Sequence, residues 1–301
     1  MTQTHRLSPG TIVLLTVPPL MWACNAVLGR MAAPLVPPMT LNLLRWAVAL
    51  VLLLPLGGWV LRPAGGLWRH WRRFSALGLL GVGCYNALQY LALKTSSPIN
   101  VTLVASSMPL WMLAVGALFF GQRITRRQVV GAALSIAGVL VVLSHGEWAH
   151  LRALRLVPGD VYVLLAALAW AFYSWLLIQR HEPEAVRADW AAFLLAQVVP
   201  GVAWSGLFAA GEWALGAPPI QWSATLVAMV LFIAAGPAVL AFRCWGAGVQ
   251  RSDPSVAAFF VNLTPLFAAL LSVLFLGETP AWHHALAFVL IVGSIVASAL
   301  H

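Results

Sequence analysis

Charged side chains are scarce in this chain of 301 residues, since Asp, Glu, Lys and Arg together make up only 8% of it. A soluble domain needs about 25% charged residues to cover its surface, which leaves little room for a water-soluble fold. Hydrophobic residues supply 61% of the chain, and its 15 tryptophans suit a bilayer, because indole rings favour the membrane interfaces. The composition therefore predicts an integral membrane protein.

Motifs that would indicate an enzyme or an ATP-driven pump are absent as well. The sequence has no phosphate-binding loop of the GxxxxGK[ST] kind, which argues against ATP as the energy source. It has no HExxH or GxSxG motif and no paired carboxylates, so an intramembrane enzyme is disfavoured and neither a cofactor nor a metal is expected. The 3 cysteines all fall within apolar segments, where packing is the better interpretation than a disulfide framework.

Ten apolar segments are each long enough to cross a bilayer, which takes about 20 residues per helix. The segments are continuous and lack the in–out alternation of a membrane barrel, so we expect helices and not strands. The predicted fold class is therefore an all-α integral membrane protein with ten transmembrane helices. The predicted spans are 9–30, 39–61, 73–94, 99–120, 127–145, 159–180, 188–210, 223–248, 255–276 and 282–300.

The second half of the chain repeats the first at a spacing of 156 residues. Residues 97–110 align without a gap with residues 253–266, and the identical pairs include Pro109 with Pro265. Upstream, Trp22 aligns with Trp170 when a small shift in the spacing is allowed. Transporters are often built on such internal repeats. We therefore predict two halves of five helices each, residues 1–148 and 149–301.

Lys and Arg are distributed unevenly among the predicted loops, and they favour the cytoplasmic side of a membrane. With the N-terminus inside, eleven of them fall inside and four outside, so both termini are expected in the cytoplasm. Five helices per half then predict halves inserted in opposite directions. The basic loop 123–127 and its uncharged repeat partner 279–283 agree with this inverted repeat. The net charge of +9 reflects this topology and attraction to anionic lipid, and no nucleic-acid partner is expected.

At several places the residues resemble a known family. The stretches YLALKTSSPIN at 90–100, MPL at 108–110 and LFFGQR at 118–123 are similar to the EamA repeat of the drug/metabolite transporter superfamily, and the second copy has TPL at 264–266 and LFLGE at 274–278. The resemblance implies ten helices in two inverted halves around a central cavity, and export of small metabolites. Within the superfamily the chain looks most like YddG-type exporters of aromatic and other neutral amino acids. One departure is Gln122, where the family usually has Glu and the second copy keeps Glu278.

Polar and aromatic side chains predicted at mid-membrane depth are the candidates for substrate binding. Polar groups are costly in lipid, so these should face protein or water. An amphipathic cavity would stack an apolar ring and hydrogen-bond a zwitterionic backbone, whereas the alternative is ordinary packing between helices. The candidates are Trp22, Asn25, Tyr85, Gln89, Tyr90, Trp111, Trp170, Tyr173, Gln197, Arg243 and Asn262.

Two further kinds of residue are candidates for gating or structure. Arg45 is interpreted either as snorkelling or structurally paired, or as binding an anionic group, while a cavity or gate role is favoured for Arg243. Pro109 and Pro265 each remove a backbone hydrogen bond and should kink their helices. Alternating access could use this paired bend, although static kinks are common in membrane helices.

The carboxylates bear on the energy source, because proton-coupled carriers usually bury an Asp or Glu. All 8 carboxylates fall in loops or at helix ends, so we predict facilitated, ATP-independent transport. With the substrates that the resemblance implies, the prediction is export of aromatic and other neutral amino acids from a bacterial inner membrane. A broad drug exporter is the first alternative. A sugar-phosphate or nucleotide-sugar carrier is the second, and it would want clustered cations in the cavity, whereas Arg45 and Arg243 are expected on opposite sides of the midplane. Membrane lipid is the other expected partner, and one chain can form the whole pathway as a monomer.

Overall fold

The computed structural model describes residues 7–96, 98–144, 157–276 and 282–299, and over these residues the regular structure is helical. Ten long helices, some of them interrupted, are numbered in chain order. They are α1 (Pro9–Ala32), α2 (Pro38–Gly57), α3 (Trp71–Leu77, Gly78–Cys84 and Tyr85–Ala92), α4 (Pro98–Ala105 and Met108–Phe119), α5 (Arg126–Leu143), α6 (Pro158–Ile178), α7 (Trp190–Ala214), α8 (Ala224–Ile233, Ala234–Leu240 and Ala241–Arg251), α9 (Pro254–Val261 and Leu263–Leu276) and α10 (Trp282–Ala299). A short helix, Glu184–Ala188, lies between α6 and α7.

Eight of the ten helices in the described ranges are long and apolar enough to cross a membrane. The other two are α3 and α4, which occupy the predicted spans but are divided into shorter pieces. The prediction of an all-helical, ten-helix membrane protein is therefore confirmed. The predicted link between the halves, residues 145–158, lies almost wholly outside the described residues.

Proline and small polar residues set where the helices begin. Five helices, α1, α2, α4, α6 and α9, have proline as their first residue, where its fixed φ suits the helix and its missing N–H costs nothing. Side-chain oxygens of Ser8, Thr125, Asp189 and Ser223 accept backbone N–H groups at the starts of α1, α5, α7 and α8. These sequence signals set where each of these helices begins.

The internal repeat extends to the irregularities of the helices. The π-helical segment Gly78–Cys84 of α3 recurs 156 residues later as Ala234–Leu240 of α8. Likewise, α5 and α10 have the same length of 18 residues and the same offset. Wider π turns of this kind occur mostly at functional sites. The two halves thus share one fold, with five helices in each.

Breaks in α4 and α9 replace the kinks expected at the two prolines. Pro109 lies in the first turn of Met108–Phe119, and Pro265 lies in the first turn of Leu263–Leu276. The predicted interruption thus takes the form of a break, because the helix ends before each proline and restarts where no N–H is needed. Asn262, in the second break, donates from Nδ2 to the Ser106 carbonyl in the first break at 3.1 Å.

Helix packing follows an internal two-fold relation. α1 packs against α8 and α9, and its counterpart α6 packs against α3 and α4. Three pairs of counterpart helices pack directly against each other, and these are α2 with α7, α4 with α9 and α5 with α10. Because each half has five helices, counterpart helices run in opposite directions across the membrane. The core therefore lies between the halves, where α1, α3, α6 and α8 meet.

The α2–α7 pair is held in matching ways at its two ends. At one end Trp59 Nε1 donates to Asp189 Oδ2 at 2.7 Å, and at the other Trp213 Nε1 donates to Thr40 Oγ1 at 2.9 Å. Glu212 Oε2 also accepts from the Thr40 backbone N–H at 3.0 Å, at the start of α2. These hydrogen bonds hold α2 and α7 together beside the central helices.

Candidate functional site

Six aromatic side chains from both halves pack together at the centre of the molecule. Trp170 of α6 is fully buried and touches the other five rings, with centroid distances of 4.3 Å to Tyr85, 4.9 Å to Tyr173, 5.2 Å to Trp22, 5.3 Å to Phe242 and 5.4 Å to Trp245. The rings meet at the edge-on and tilted angles that aromatic pairs prefer. This aromatic cluster is contributed by α1, α3, α6 and α8.

Two pockets flank the aromatic cluster, toward opposite ends of α1. The Arg251 cavity measures about 750 Å³ and includes Gly10 and Leu14 near the start of α1 among its lining residues. The Arg30 pocket measures about 150 Å³ and is lined by Asn25 and Arg30 near the end of α1. Trp22 lies between these two stretches of the helix.

Trp170 touches residues of both pockets. Its ring contacts Trp22 and Tyr85, which line the Arg30 pocket, and also Tyr173 and Phe242, which line the Arg251 cavity. The structure therefore describes two recesses that the aromatic cluster separates, with the larger one on the Arg251 side.

The Arg251 cavity is strongly basic. Arg180, Arg187, Arg243 and Arg251 all line it, and no Asp or Glu is among its described lining residues. Arginine clustering of this kind was not expected from the sequence, because three of the four arginines lie in or next to loops. A concave site of one charge sign concentrates ligands of the opposite sign.

Arg243 is held over an aromatic ring at the wall of this cavity. Its guanidinium carbon lies 4.3 Å from the centroid of the Trp190 ring, within range of a cation–π contact. Deeper in the same cavity, Tyr173 donates its hydroxyl to Gln197 Oε1 at 3.0 Å, and both side chains are buried. Arg243 is exposed at the wall of this cavity, and the gate or cavity role favoured from the sequence stays a prediction.

Arg45 lies on the other side of the aromatic cluster and is fully buried. Its Nη1 donates to the Tyr90 hydroxyl at 3.1 Å and to Asn25 Oδ1 at 3.4 Å. The Tyr90 hydroxyl donates to the same Asn25 oxygen at 2.8 Å. The snorkelling alternative for Arg45 is therefore wrong, because its guanidinium points into protein and not toward a membrane surface.

This buried guanidinium lacks a full set of partners. Arg45 forms no salt bridge within the described ranges, and its Nε and Nη2 have no hydrogen-bond partner there. The centroid of the Trp46 ring is 5.3 Å from the guanidinium carbon of Arg45. Burying a charge without a counter-charge costs several kcal/mol, so this arrangement calls for a functional reason.

The other sequence candidates divide between the two pockets. Gln89, Tyr90, Asn262 and Pro265 line the Arg30 pocket together with Trp22, Asn25 and Tyr85. Trp111 lines neither pocket and packs half-buried against the hydrophobic core. Pro109 is buried at the start of the second piece of α4 and lines neither pocket. The structure thus brings most of the candidates to the central pathway.

Phe242 and Trp245 belong to the aromatic cluster but were missed in the sequence. Their repeat partners are Asn86 and Gln89, which stand 156 residues earlier. Gln89 was singled out as polar, whereas its apolar partner Trp245 looked like an ordinary packing residue. Transferring the candidate Gln89 to its repeat partner would have found Trp245, whereas Phe242 pairs with Asn86, which was not a candidate.

A cluster of one carboxylate ion-paired with two arginines lies at the end of α6, near the Arg251 cavity. Glu182 is fully buried at its side chain and pairs with Arg187 and with Arg73, whose Nε lies 2.7 Å from Glu182 Oε2. The same arginines donate to the Leu176 and Leu177 carbonyls at 3.0 Å, at the end of α6. Burial raises the pKa of the Glu182 carboxyl, but Arg73 and Arg187 outweigh it and hold that pKa below its usual range.

Comparison with known proteins gives one family. The profile of the EamA-like transporter family matches this chain twice, over residues 10–144 and 157–300. An aromatic amino acid exporter, YddG, of Ancylobacter novellus is 28% identical over 93% of this chain and 94% of its own. An uncharacterized transporter of Archaeoglobus fulgidus is 25% identical over 96% and 97%. A probable amino-acid metabolite efflux pump of Salmonella typhimurium is 27% identical over 90% and 87%.

One solved crystal structure supports the fold. It superimposes with a TM-score of 0.75, covers 96% of each chain and is 23% identical in sequence. The agreement extends over both halves, so the chain shares the fold of that solved structure.

Proposed function

The chain belongs to the EamA-like transporter family, and from this premise we propose that it exports aromatic and other neutral amino acids by ATP-independent alternating access. The family is one of transporters and not of enzymes. The observation that carries the proposal is the aromatic cluster, which divides a central pathway between two structurally related halves. The named substrates of two relatives, aromatic amino acids and amino-acid metabolites, support the same substrate class.

The size and lining of the Arg251 cavity fit such a substrate. Small-molecule sites are typically clefts of about 300–1,000 Å³, and this cavity measures about 750 Å³. Its inner wall carries Tyr173 and Phe242 for an apolar ring, and Gln197 for a polar backbone. The Arg30 pocket, at about 150 Å³, is below that range. The conformation is therefore one that receives substrate from the Arg251 side.

Export follows if the Arg251 side faces the cytoplasm, as the distribution of Lys and Arg predicts. We place the protein in a bacterial inner membrane with both termini inside. One chain holds both halves and both pockets, so a monomer suffices for transport.

Facilitated transport is supported by the positions of the carboxylates. Among the described acidic residues Asp160 and Glu182 are buried, but Asp160 accepts a hydrogen bond at the start of α6 and Glu182 is ion-paired at its end. No described Asp or Glu lines the Arg251 cavity or the Arg30 pocket. Proton-coupled carriers usually bury an Asp or Glu along the substrate path. We infer that the substrate gradient alone drives export.

One observation favours a second candidate, an exporter of organic anions such as sugar phosphates. Four arginines line the Arg251 cavity, and three of them, all but Arg187, form no ion pair with a described residue. Clustered cations of this kind suit such a substrate. The same charge disfavours a broad exporter of lipophilic cations, because like charges repel in a concave site.

Purified protein in sealed liposomes tests the proposal. The vesicles are preloaded with labelled phenylalanine, and external phenylalanine, glucose 6-phosphate or tetraphenylphosphonium is added without a pH gradient. Acceleration of label efflux by phenylalanine alone is the expected result. For the two rivals, separate vesicles are preloaded with labelled glucose 6-phosphate or labelled tetraphenylphosphonium.

Two outcomes would contradict the proposal. If labelled glucose 6-phosphate or tetraphenylphosphonium exchanges while phenylalanine does not, the substrate class is wrong and the family assignment stands. If phenylalanine moves only when a pH gradient is imposed, the facilitated mechanism is wrong and the substrate class stands.

A further inference from the structure

The two sides of the aromatic cluster carry related polar groups. Asn25 of α1 and Tyr173 of α6 are repeat partners, each three residues after a tryptophan of the cluster. Arg45 and Gln197 are each the eighth residue of their helix, α2 or α7. Arg45 bonds to Asn25, and Gln197 bonds to Tyr173. The internal two-fold relation therefore places one side-chain pair on each side of the cluster.

Arginine accompanies both of these pairs, but it comes from different helices on the two sides. On the Arg30 side the arginine is Arg45 itself, whereas on the Arg251 side Gln197 is neutral and Arg243 of α8 supplies the charge at the wall of the same cavity. The repeat partner of Arg243 is Ala87, which is uncharged. Arginines thus lie on both sides of the cluster, Arg45 and Arg30 on one side and Arg243 with the other three cavity arginines on the opposite side.

From this arrangement we propose that the pathway contains two carboxylate-binding stations, one at Arg243 and one at Arg45, on opposite sides of the aromatic cluster. The substrate must then carry a carboxylate next to an apolar or aromatic group, while its amino group is dispensable. The proposal rests on the proposed function, because it concerns the same pathway, and it sharpens the substrate class to apolar monocarboxylates.

The state of Arg45 supports the second station. Its guanidinium is fully buried with two nitrogens unpartnered within the described ranges, and the two side chains that it bonds, Asn25 and Tyr90, line the Arg30 pocket. Two donor atoms of other residues, Asn86 Nδ2 and Trp22 Nε1, also have no partner among the described residues. Asn86 and Trp22 line the Arg30 pocket. Unpartnered hydrogen-bond donors and a buried cation can be satisfied by a bound anion. A carboxylate bound to arginine is among the strongest such ion pairs. When the rings of the aromatic cluster move apart, a carboxylate released from Arg243 can bind to Arg45 on the other side of the cluster.

A single buried guanidinium also sets the charge of the ligand. Arg45 can balance one negative charge, which suits a carboxylate better than a doubly charged phosphate ester. Simple amines find no carboxylate partner at either station among the described residues. The ligand series that separates these features is L-phenylalanine, 3-phenylpropanoate and 2-phenylethylamine, which share the ring and differ in the charged groups.

The test uses the full-length protein in lipid nanodiscs for binding and in liposomes for transport. Binding is followed by tryptophan fluorescence, and transport by exchange of labelled 3-phenylpropanoate. Wild-type protein is expected to bind 3-phenylpropanoate and phenylalanine but not 2-phenylethylamine. Arg243→Gln should weaken binding about 10- to 100-fold, the equivalent of a hydrogen bond to a charged group. Arg72→Gln is the matched control, since Arg72 also lies over a tryptophan ring but lines neither pocket.

Variants of the second station separate binding from transport. Arg45→Gln should still bind 3-phenylpropanoate at the Arg243 station, which also shows that it is folded, but should lose exchange. Asn25→Asp places a permanent carboxylate against Arg45, and it should raise thermal stability while it blocks exchange. Normal exchange in both variants would show that Arg45 is not a carboxylate-binding station. If 2-phenylethylamine binds as tightly as 3-phenylpropanoate, both stations are wrong.

The outcomes also separate this inference from the proposed function. If 3-phenylpropanoate is bound and exchanged but phenylalanine is not, the amino-acid substrate is wrong and the two stations stand. If phenylalanine exchanges at the wild-type rate in Arg45→Gln and Arg243→Gln, the stations are wrong and the proposed function stands.

Discussion

Replacing Trp170 by alanine should join the two pockets into an open pathway. Its ring is the contact between the residues that line the Arg30 pocket, of about 150 Å³, and those that line the Arg251 cavity, of about 750 Å³. Without this ring, Tyr85 and Tyr173 lose the surface against which they pack. We expect solutes to leak through Trp170→Ala protein in the conformation that excludes them in the wild type.

The substitution also destabilises the fold, and its magnitude can be estimated. Trp170 is fully buried, and truncation of such a side chain to alanine costs about 3–5 kcal/mol. Trp175 offers a matched control on the same helix, since it is equally buried but stacks on Phe120 at 5.5 Å and bonds to the Met112 carbonyl at 2.8 Å. Trp175→Ala should lose a similar free energy of unfolding without opening the pathway.

Osmotic swelling of proteoliposomes in xylitol measures the leak whatever the natural substrate is. Trp170→Ala vesicles are expected to swell faster than vesicles with wild-type or Trp175→Ala protein, and Trp170→Phe should be intermediate because it keeps a ring. Equal leakage in Trp170→Ala and Trp175→Ala would mean that general destabilisation opens the pathway. No leakage in either variant would refute the role assigned to the aromatic cluster.

Two further predictions concern the α3 segment and the end of α6. A Cβ at Gly81 would lie 2.6 Å from Cε2 of the Tyr173 ring, whereas one at Gly83 would come no closer than 3.3 Å to its neighbours. Gly81→Ala should therefore slow exchange much more than Gly83→Ala, as rates in liposomes will show. Because the pKa of Glu182 is held below its unfolded value of 4.5, the stability it provides is present above that pH and is lost as the pH falls below it. Glu182→Gln should lower the thermal stability at neutral pH and remove this acid-dependent loss, measured by melting curves in detergent.

The repeat made the overall fold predictable. Because residues 97–110 match 253–266 in sequence, the second half could be drawn from the first, and α5 and α10 keep the expected spacing of 156 residues. The π-helical segments at Gly78–Cys84 and Ala234–Leu240 could not be foreseen, because their sequences differ and a wide turn has no hydrophobic period of its own.

The candidate site was only partly predictable, because its contacts join distant parts of the chain. Arg45 meets Tyr90, which is 45 residues away, and a sequence shows neither the contact nor the burial that excludes snorkelling. Arg180 and Arg187 were assigned to loop topology, and only the folded chain shows them at the wall of the same cavity as Arg243. In contrast, Trp22 and Trp170 were found from the repeat alone, since a tryptophan that recurs at mid-helix in both halves indicates a shared place in the core.

The measurement that tests alternating access most directly is the reactivity of two single cysteines in a background without native cysteines. Ala247 lines the Arg251 cavity and Ala26 lines the Arg30 pocket, so Ala247→Cys and Ala26→Cys report on the two sides of the aromatic cluster. With a membrane-impermeant maleimide, the two cysteines should react from opposite faces of the membrane, and substrate should change their rates in opposite directions. Reaction of both from the same face, or parallel changes with substrate, would contradict the account.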